Sequence, residues 1–117
     1  MAAQEARALR HLLAEPDPLD GLAPAFFAAA AALIETPWAT SAIPDFVHPE
    51  TRGERPENFE MLLRIGAALG KLAAQDPAVH RLTAEVQNLL KPRSVYREPV
   101  LMERVREMVA DLPQRPT

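Results

Sequence analysis

Three histidines are the side chains in this sequence best suited to hold a metal ion or to move a proton. A metal site on a helix needs a second ligand three or four residues from the first, so that both share a face. His11 has one such neighbour, Glu15, and Glu85 stands at the wrong spacing from His80. His48 lies in a proline-rich stretch. We therefore expect no metal site and a solvent-exposed His48.

Paired carboxylates and nucleophiles give no stronger indication of catalysis. Glu57 and Glu60 are three residues apart, but no Glu-x-x-His motif accompanies them, and compensation of a helix dipole explains them better. Thr40, Ser41 and Ser94 lack the G-x-S-x-G context of a nucleophile elbow. The chain has no cysteine, and its four glycines form no phosphate-binding pattern. We expect a non-catalytic protein without a cofactor.

A basic connector is the remaining candidate for polar chemistry. Arg93 and Arg97 flank Tyr96, and cations beside an aromatic ring can contact an anion or stack on a base. A solvated linker explains the same residues more simply. The net charge of −3 and the pI near 5.6 are unlike those of nucleic-acid binders, which carry a basic excess. We therefore predict no binding to nucleic acid.

Length and composition indicate one soluble domain spanning 1–117. The chain has 117 residues, 48% of them hydrophobic, which is enough for a core without disulfides. Its longest apolar run, Leu22 to Ile34, is shorter than the roughly 20 residues that a bilayer requires. The run follows several acidic residues, unlike a secretory signal. Abundant alanine is typical of GC-rich bacterial genomes. We expect a cytoplasmic protein with no membrane contact.

Apolar residues recur at helical spacing throughout the chain, and no useful segment alternates as a strand would. The sequence therefore predicts an all-α bundle of about five helices. Capping residues and prolines place them near 3–15, 24–35, 57–75, 77–90 and 99–112, with a frayed tail at 113–117. The run AFFAAAAALIE lacks a polar face, which favours central helices two and three. Gly66 and Gly70 would let these two helices approach closely.

Residues 36–56 contain four prolines, which predict a long loop rather than a helix. The same segment holds four large apolar residues, Trp38, Ile43, Phe46 and Val47. Disordered segments lack such side chains, so we expect an ordered loop held by Trp38. These four residues either cover the core or bind a partner.

The apolar surplus favours a protein–protein interaction domain: an accessory subunit, an adaptor or a homo-oligomer, most simply a C2 dimer. One alternative is a small-molecule-binding domain or enzyme subunit whose cleft the loop covers, with polar groups from Asp45, His48 and Arg52. A second is a nucleic-acid-linked regulator that uses the segment from Lys91 to Arg106. The sequence contains no motif specific enough to indicate a family.

Overall fold

The computed structural model describes residues 1–113. Over that range it is all-helical, with five α-helices, one 3-10 helix and no strand, and the predicted fold class is confirmed. Residues 114–117 of the predicted tail lie outside the described residues. The helices are α1 (Ala2–Leu13), α2 (Leu22–Asp45), α3 (Phe59–Gln75), α4 (Pro77–Gln87) and α5 (Pro99–Ala110), with the 3-10 helix at Arg93–Arg97 before α5.

The chain divides into two compact units, Met1–Ser41 and Ala42–Thr117. The first contains α1 and most of α2, and the second contains the end of α2 and all later helices. Each unit is described below by itself.

The core of the second unit forms where α3, α4 and α5 meet. Its buried cluster consists of Ala68, Leu72, Val79, Leu101 and Val105. Two pairs within this cluster, Ala68 with Leu72 and Leu101 with Val105, stand four residues apart, so the members of each pair lie on one face of their helix. Other apolar side chains pack around the cluster, including Leu69, Leu82, Tyr96, Met108 and Leu112. The prediction of a central third helix is therefore correct.

A charged side chain of α3 holds the end of α5. The Arg64 guanidinium donates from Nη2 to the carbonyls of Val109, at 2.7 Å, and Leu112, at 3.2 Å. These bonds add a charged donor to carbonyls at and just beyond the C-terminal end of α5. The two helices are thereby joined by polar contacts as well as by their apolar faces.

A carboxylate holds the start of α4 in a similar way. Asp76 Oδ1 accepts from the Ala78 N–H at 2.8 Å, and its Oδ2 accepts from Arg104 Nη1 at 2.8 Å. The first bond satisfies an N–H that has no partner within the helix, and the second links α4 to α5. Asp76 therefore caps α4.

The end of α4 is a Schellman motif without glycine. The Leu90 N–H donates to the Glu85 carbonyl at 2.8 Å, and the Leu89 N–H donates to the Val86 carbonyl at 3.0 Å. Leu89 adopts a φ of +59°, a left-handed conformation that glycine usually supplies.

The predicted start of the loop at residue 36 is wrong, because α2 continues to Asp45. The segment 36–45, expected to be loop, is helical, and the connection to α3 is shorter than predicted. Each proline removes one N–H but keeps a helical φ, so Pro37 and Pro44 weaken the helix without ending it. Thr40 Oγ1 donates to the Thr36 carbonyl at 2.8 Å, adding a local bond beside Pro37.

The exposure of α2 contradicts the prediction that its apolar run is buried and central. Of its 24 residues, Ala30 alone is buried. Apart from its chain neighbours and the nearby backbone of α3, a Cβ added at Gly66 or Gly70 would meet no atom within 4 Å. An apolar surface all around a helix did not indicate burial in this protein, because the residues of a helix do not show what covers it.

Candidate interaction surface

One exposed apolar stripe runs along α2 and is defined by Phe27, Ala31, Ile34 and Trp38; we call it the α2 stripe. The Phe27 side chain is 68% exposed, Ile34 is 38% exposed and Trp38 is 70% exposed. Ala31 is exposed between them. These four residues all belong to the first unit. The stripe therefore presents two large aromatic side chains and one branched aliphatic side chain to solvent.

The spacing of the α2 stripe aligns its members. They stand at positions i, i+4, i+7 and i+11, which at 3.6 residues per turn fall within a narrow sector of the helix surface. The first and last members are about 16 Å apart along the axis at 1.5 Å per residue. Alternating steps of four and three residues are those of the a and d positions in a coiled coil. The stripe is thus shaped like a seam that another helix can pack against.

The less exposed side of α2 is different. Phe26, Ala29 and Leu33 are half-buried, and Ala30 is buried. The Phe26 and Phe27 ring centroids are 6.2 Å apart, but only Phe27 is exposed. One side of the helix, around Ala30, is therefore less exposed than the α2 stripe.

The surroundings of the stripe are acidic in sequence. No lysine or arginine occurs between His11 and Thr51. The acidic residues of that interval are Glu15, Asp17, Asp20, Glu35, Asp45 and Glu50. Negative charge therefore lies before α2, near its middle and at its end.

The four residues predicted to bind a partner are divided between the two units. Trp38 belongs to the first unit and lies on a helix rather than in a loop. Ile43, Phe46 and Val47 belong to the second unit, where Ile43 and Phe46 are half-buried and Val47 is 47% exposed.

Phe46, not Trp38, packs the connection between α2 and α3. Its ring meets Phe59 edge to face, with centroids 6.3 Å apart. The Arg55 guanidinium lies 4.9 Å from the Phe59 ring centroid and donates to the Phe46 carbonyl at 2.7 Å. The connection is therefore tied to the start of α3 by ring contacts and one charged donor.

The backbone of the same connection is shaped around the Phe46 ring. Gly53 has a φ of +125°, and a Cβ there would lie 3.4 Å from that ring. Thr51 Oγ1 donates to the Asp45 carbonyl at 2.6 Å, capping the end of α2. Both features hold the shorter loop close to the helix that precedes it.

The predicted anion-contact residues lie together on the 3-10 helix. Tyr96 packs against the core of the second unit, and this burial raises the pKa of its hydroxyl. Arg93 is half-buried and Arg97 is exposed. Because the Tyr96 ring is used in packing, it presents less surface for stacking on a base.

The three histidines belong to no metal-ligand group among the described residues. His11, His48 and His80 are exposed, and residues 1–113 contain no group of three potential metal ligands. A shallow groove of about 170 Å³ lies in the second unit, lined by α4 and α5 residues such as Val79 and Arg104. It is smaller than a ligand pocket of about 300–1,000 Å³. No residue of the 46–58 connection lines it, so it is not the cleft that the sequence suggested.

Helix α2 is long and apolar enough to cross a membrane, judged by length and composition. The helix continues past Ile34 to Asp45, so it is longer than the apolar run from which the sequence predicted no membrane contact.

Three members of the stripe, Phe27, Ala31 and Ile34, were not identified from the sequence, since all three were assigned to a buried helix. Their heptad spacing with Trp38 was a usable signal, but the predicted break at Pro37 hid it.

No protein-family model, curated protein or solved structure is similar enough to this chain to match it, so the α2 stripe must be interpreted from its own residues.

Proposed function

We propose that this chain is a non-catalytic protein–protein interaction domain, an accessory subunit or adaptor, and that the α2 stripe is its docking surface. The observation that carries the proposal is that a helix of 24 residues buries Ala30 alone and exposes Phe27, Ile34 and Trp38 in one line. Aromatic side chains supply most of the binding energy of typical interfaces, and tryptophan is a preferred anchor.

A protein occupant accounts for the helix better than a lipid bilayer does. Glu35 lies within two residues of the middle of α2, and a carboxylate at the centre of a bilayer-spanning helix costs about 2.5–3.5 kcal/mol. Membrane-bound helices usually carry lysine or arginine at their ends, and none occurs between His11 and Thr51. The proposal therefore places the protein in the cytoplasm.

The other functions considered have less support. A ligand-binding or enzymatic role has less support, because the groove between α4 and α5 is lined by none of Asp45, His48 and Arg52. A nucleic-acid role would rely on the 3-10 helix, where Tyr96 is already engaged in the core. The interaction role uses a surface that no other feature of the described chain explains.

The experiment is site-specific photo-crosslinking in the cells that produce the protein. A photoreactive amino acid replaces Phe27 in one variant and Val100 in the control. Val100 is 67% exposed on α5, which matches the 68% exposure of Phe27. We expect a protein adduct of defined mass from Phe27 and none of comparable yield from Val100. Equal yields, or no protein adduct from Phe27, would exclude the proposal.

A further inference from the structure

We propose that the occupant of the α2 stripe is an amphipathic helix of a different protein, bearing lysine or arginine at both ends of its apolar face. This inference rests on the proposed function and specifies the chemistry of the partner. It is carried by two independent features of the described chain, the heptad spacing of the stripe and the charge around it.

The spacing indicates a helix as the occupant. Phe27, Ile34 and Trp38 project in a line, and Ala31 leaves a gap between the first two. In knobs-into-holes packing a side chain of the facing helix enters a space formed by four residues, and the small Ala31 side chain leaves room for it. The line extends over about three helical turns, so a partner helix of about 11–15 residues would cover it.

The charge indicates a partner other than a second copy. Two copies packed through the stripe in parallel would bring like acids together, Asp20 beside Asp20 and Asp45 beside Asp45, since these residues stand seven positions before Phe27 and seven after Trp38. In the antiparallel arrangement, Asp20 of one copy would approach Asp45 of the other. No lysine or arginine of residues 12–51 could compensate either arrangement, because that interval contains none. Juxtaposed like charges oppose association, whereas opposite charges accelerate it and fix the register.

A partner with basic ends meets the same surface favourably. Its cations would face Asp17 and Asp20 before α2 and Asp45 at its end, while its apolar face covers Phe27 and Trp38. Exposed charges act over about 10 Å at 0.1 M ionic strength. The preference for such a partner must therefore diminish as salt is added.

The test uses the full-length protein and two synthetic helices of 18 residues. Both peptides share one leucine seam and lack aromatic residues, and they differ in carrying lysine or glutamate at both ends. Trp38 is the sole tryptophan of the chain, so its emission reports occupancy of the stripe directly. We expect the lysine-ended peptide to shift this emission to shorter wavelength and to bind at least about tenfold more tightly than the glutamate-ended peptide at low salt, with the ratio falling at high salt.

Two matched variants locate the binding site. Phe27→Ala should weaken binding of the lysine-ended peptide at least about tenfold, as truncation of an interface anchor does. Val100→Ala, at an equally exposed position, should leave binding unchanged. Circular dichroism of both variants checks that the helices are intact.

Each contrary result overturns the inference. Equal affinities for the two peptides, tighter binding of the glutamate-ended peptide or no binding of either would remove the charge argument. A dimer by light scattering, with Trp38 emission already shifted and lost on Phe27→Ala, would identify a second copy as the occupant. An emission shift with vesicles of phosphatidylcholine and phosphatidylglycerol, but with neither peptide, would identify a membrane. A protein adduct from the Phe27 crosslinker would preserve the proposed function even where the charge argument fails.

Discussion

Leu89 occupies a backbone conformation that L-amino acids adopt at a cost. Its φ of +59° allows the two hydrogen bonds that end α4. In the left-handed region a Cβ approaches the following carbonyl, at a cost of roughly 1–2 kcal/mol. We expect Leu89→Gly to be more stable than Leu89→Ala by about 1 kcal/mol, since both lose the side chain and only glycine relieves the backbone. Urea unfolding of the two variants measures the difference, and equal stabilities would contradict the strain.

Arg64 joins two helices through a single guanidinium. Its hydrogen bonds to Val109 and Leu112 are made by a charged donor in a half-buried position. Such bonds contribute about 1.5–3 kcal/mol each in favourable cases, and the helix dipole adds to them. We expect Arg64→Met to lower the free energy of unfolding by about 2 kcal/mol. Lys71→Met, at an exposed position on the same helix, should change it by less than about 0.5 kcal/mol.

At the scale of the element, α4 depends on one carboxylate at its start. The hydrogen bond from Arg104 and that from the Ala78 N–H hold the pKa of Asp76 below its ordinary value of 3.8. Because the folded state binds fewer protons at this group than the unfolded state, its stabilisation is complete above the unfolded pKa. It is lost as the pH falls through the lower folded pKa.

This linkage predicts a pH-dependent effect of Asp76→Asn. The amide retains a capping oxygen for Ala78 but removes the charge that Arg104 meets. We expect the variant to be less stable than the parent near pH 7 and to approach it as the pH falls below the ordinary value of 3.8. Urea unfolding across that range, with Arg81→Gln on the exposed side of α4 as control, measures it. A stability deficit that persists unchanged at low pH would show that the charge is not its cause.

Helix α2 should tolerate the loss of its largest side chain. Trp38 is 70% exposed, so Trp38→Ala should change the free energy of unfolding by less than about 0.5 kcal/mol. Leu72→Ala, in the buried cluster, should cost about 2–5 kcal/mol by comparison. The native protein without a partner should show tryptophan emission typical of an exposed side chain. A marked loss of stability in Trp38→Ala would mean that the helix covers a core instead.

The elements differ in how far their sequences predicted them. Helices α3, α4 and α5 were recognisable because a proline at or shortly before the first residue agrees with the apolar spacing in each, and Asp76 also caps α4. The end of α4 was placed too late, since Leu89 holds the position where glycine normally marks a helix end. Helix α2 was misjudged twice: prolines weaken a helix without forbidding it, and its apolar surface is largely exposed.

For the whole molecule, the candidate surface was only partly predictable. The need for an exposed apolar surface, and Trp38 as a member of it, followed from the surplus of apolar residues. Which other residues join Trp38 depends on the helical register past Pro37. A rule that treats each proline by itself cannot predict whether the helix continues past Pro37, because the neighbouring helical turns decide between helix and loop at that position.

The charge of the whole chain gives a prediction about polyanions. With a net charge of −3 and no cation between His11 and Thr51, the protein should not bind nucleic acid below about 10 µM at roughly 0.15 M salt. A fluorescence titration with labelled single- and double-stranded DNA measures this. Sub-micromolar binding that weakens steeply with salt would contradict the prediction, and loss of that binding in Arg93→Gln or Arg97→Gln would locate it.

The α2 stripe is synthesised before the helices that form the core of the second unit. Translation proceeds at about 5–20 residues per second, and about 65 residues separate Asp45 from Ala110, so roughly 3–13 s pass between the synthesis of α2 and that of the last core helix. During that interval Phe27, Ile34 and Trp38 are present in the nascent chain, and the buried cluster of the second unit is incomplete. Because the stripe does not depend on that core for its contacts, it is available to a partner or a chaperone before synthesis ends. A partner that binds during translation would protect the growing chain from aggregation.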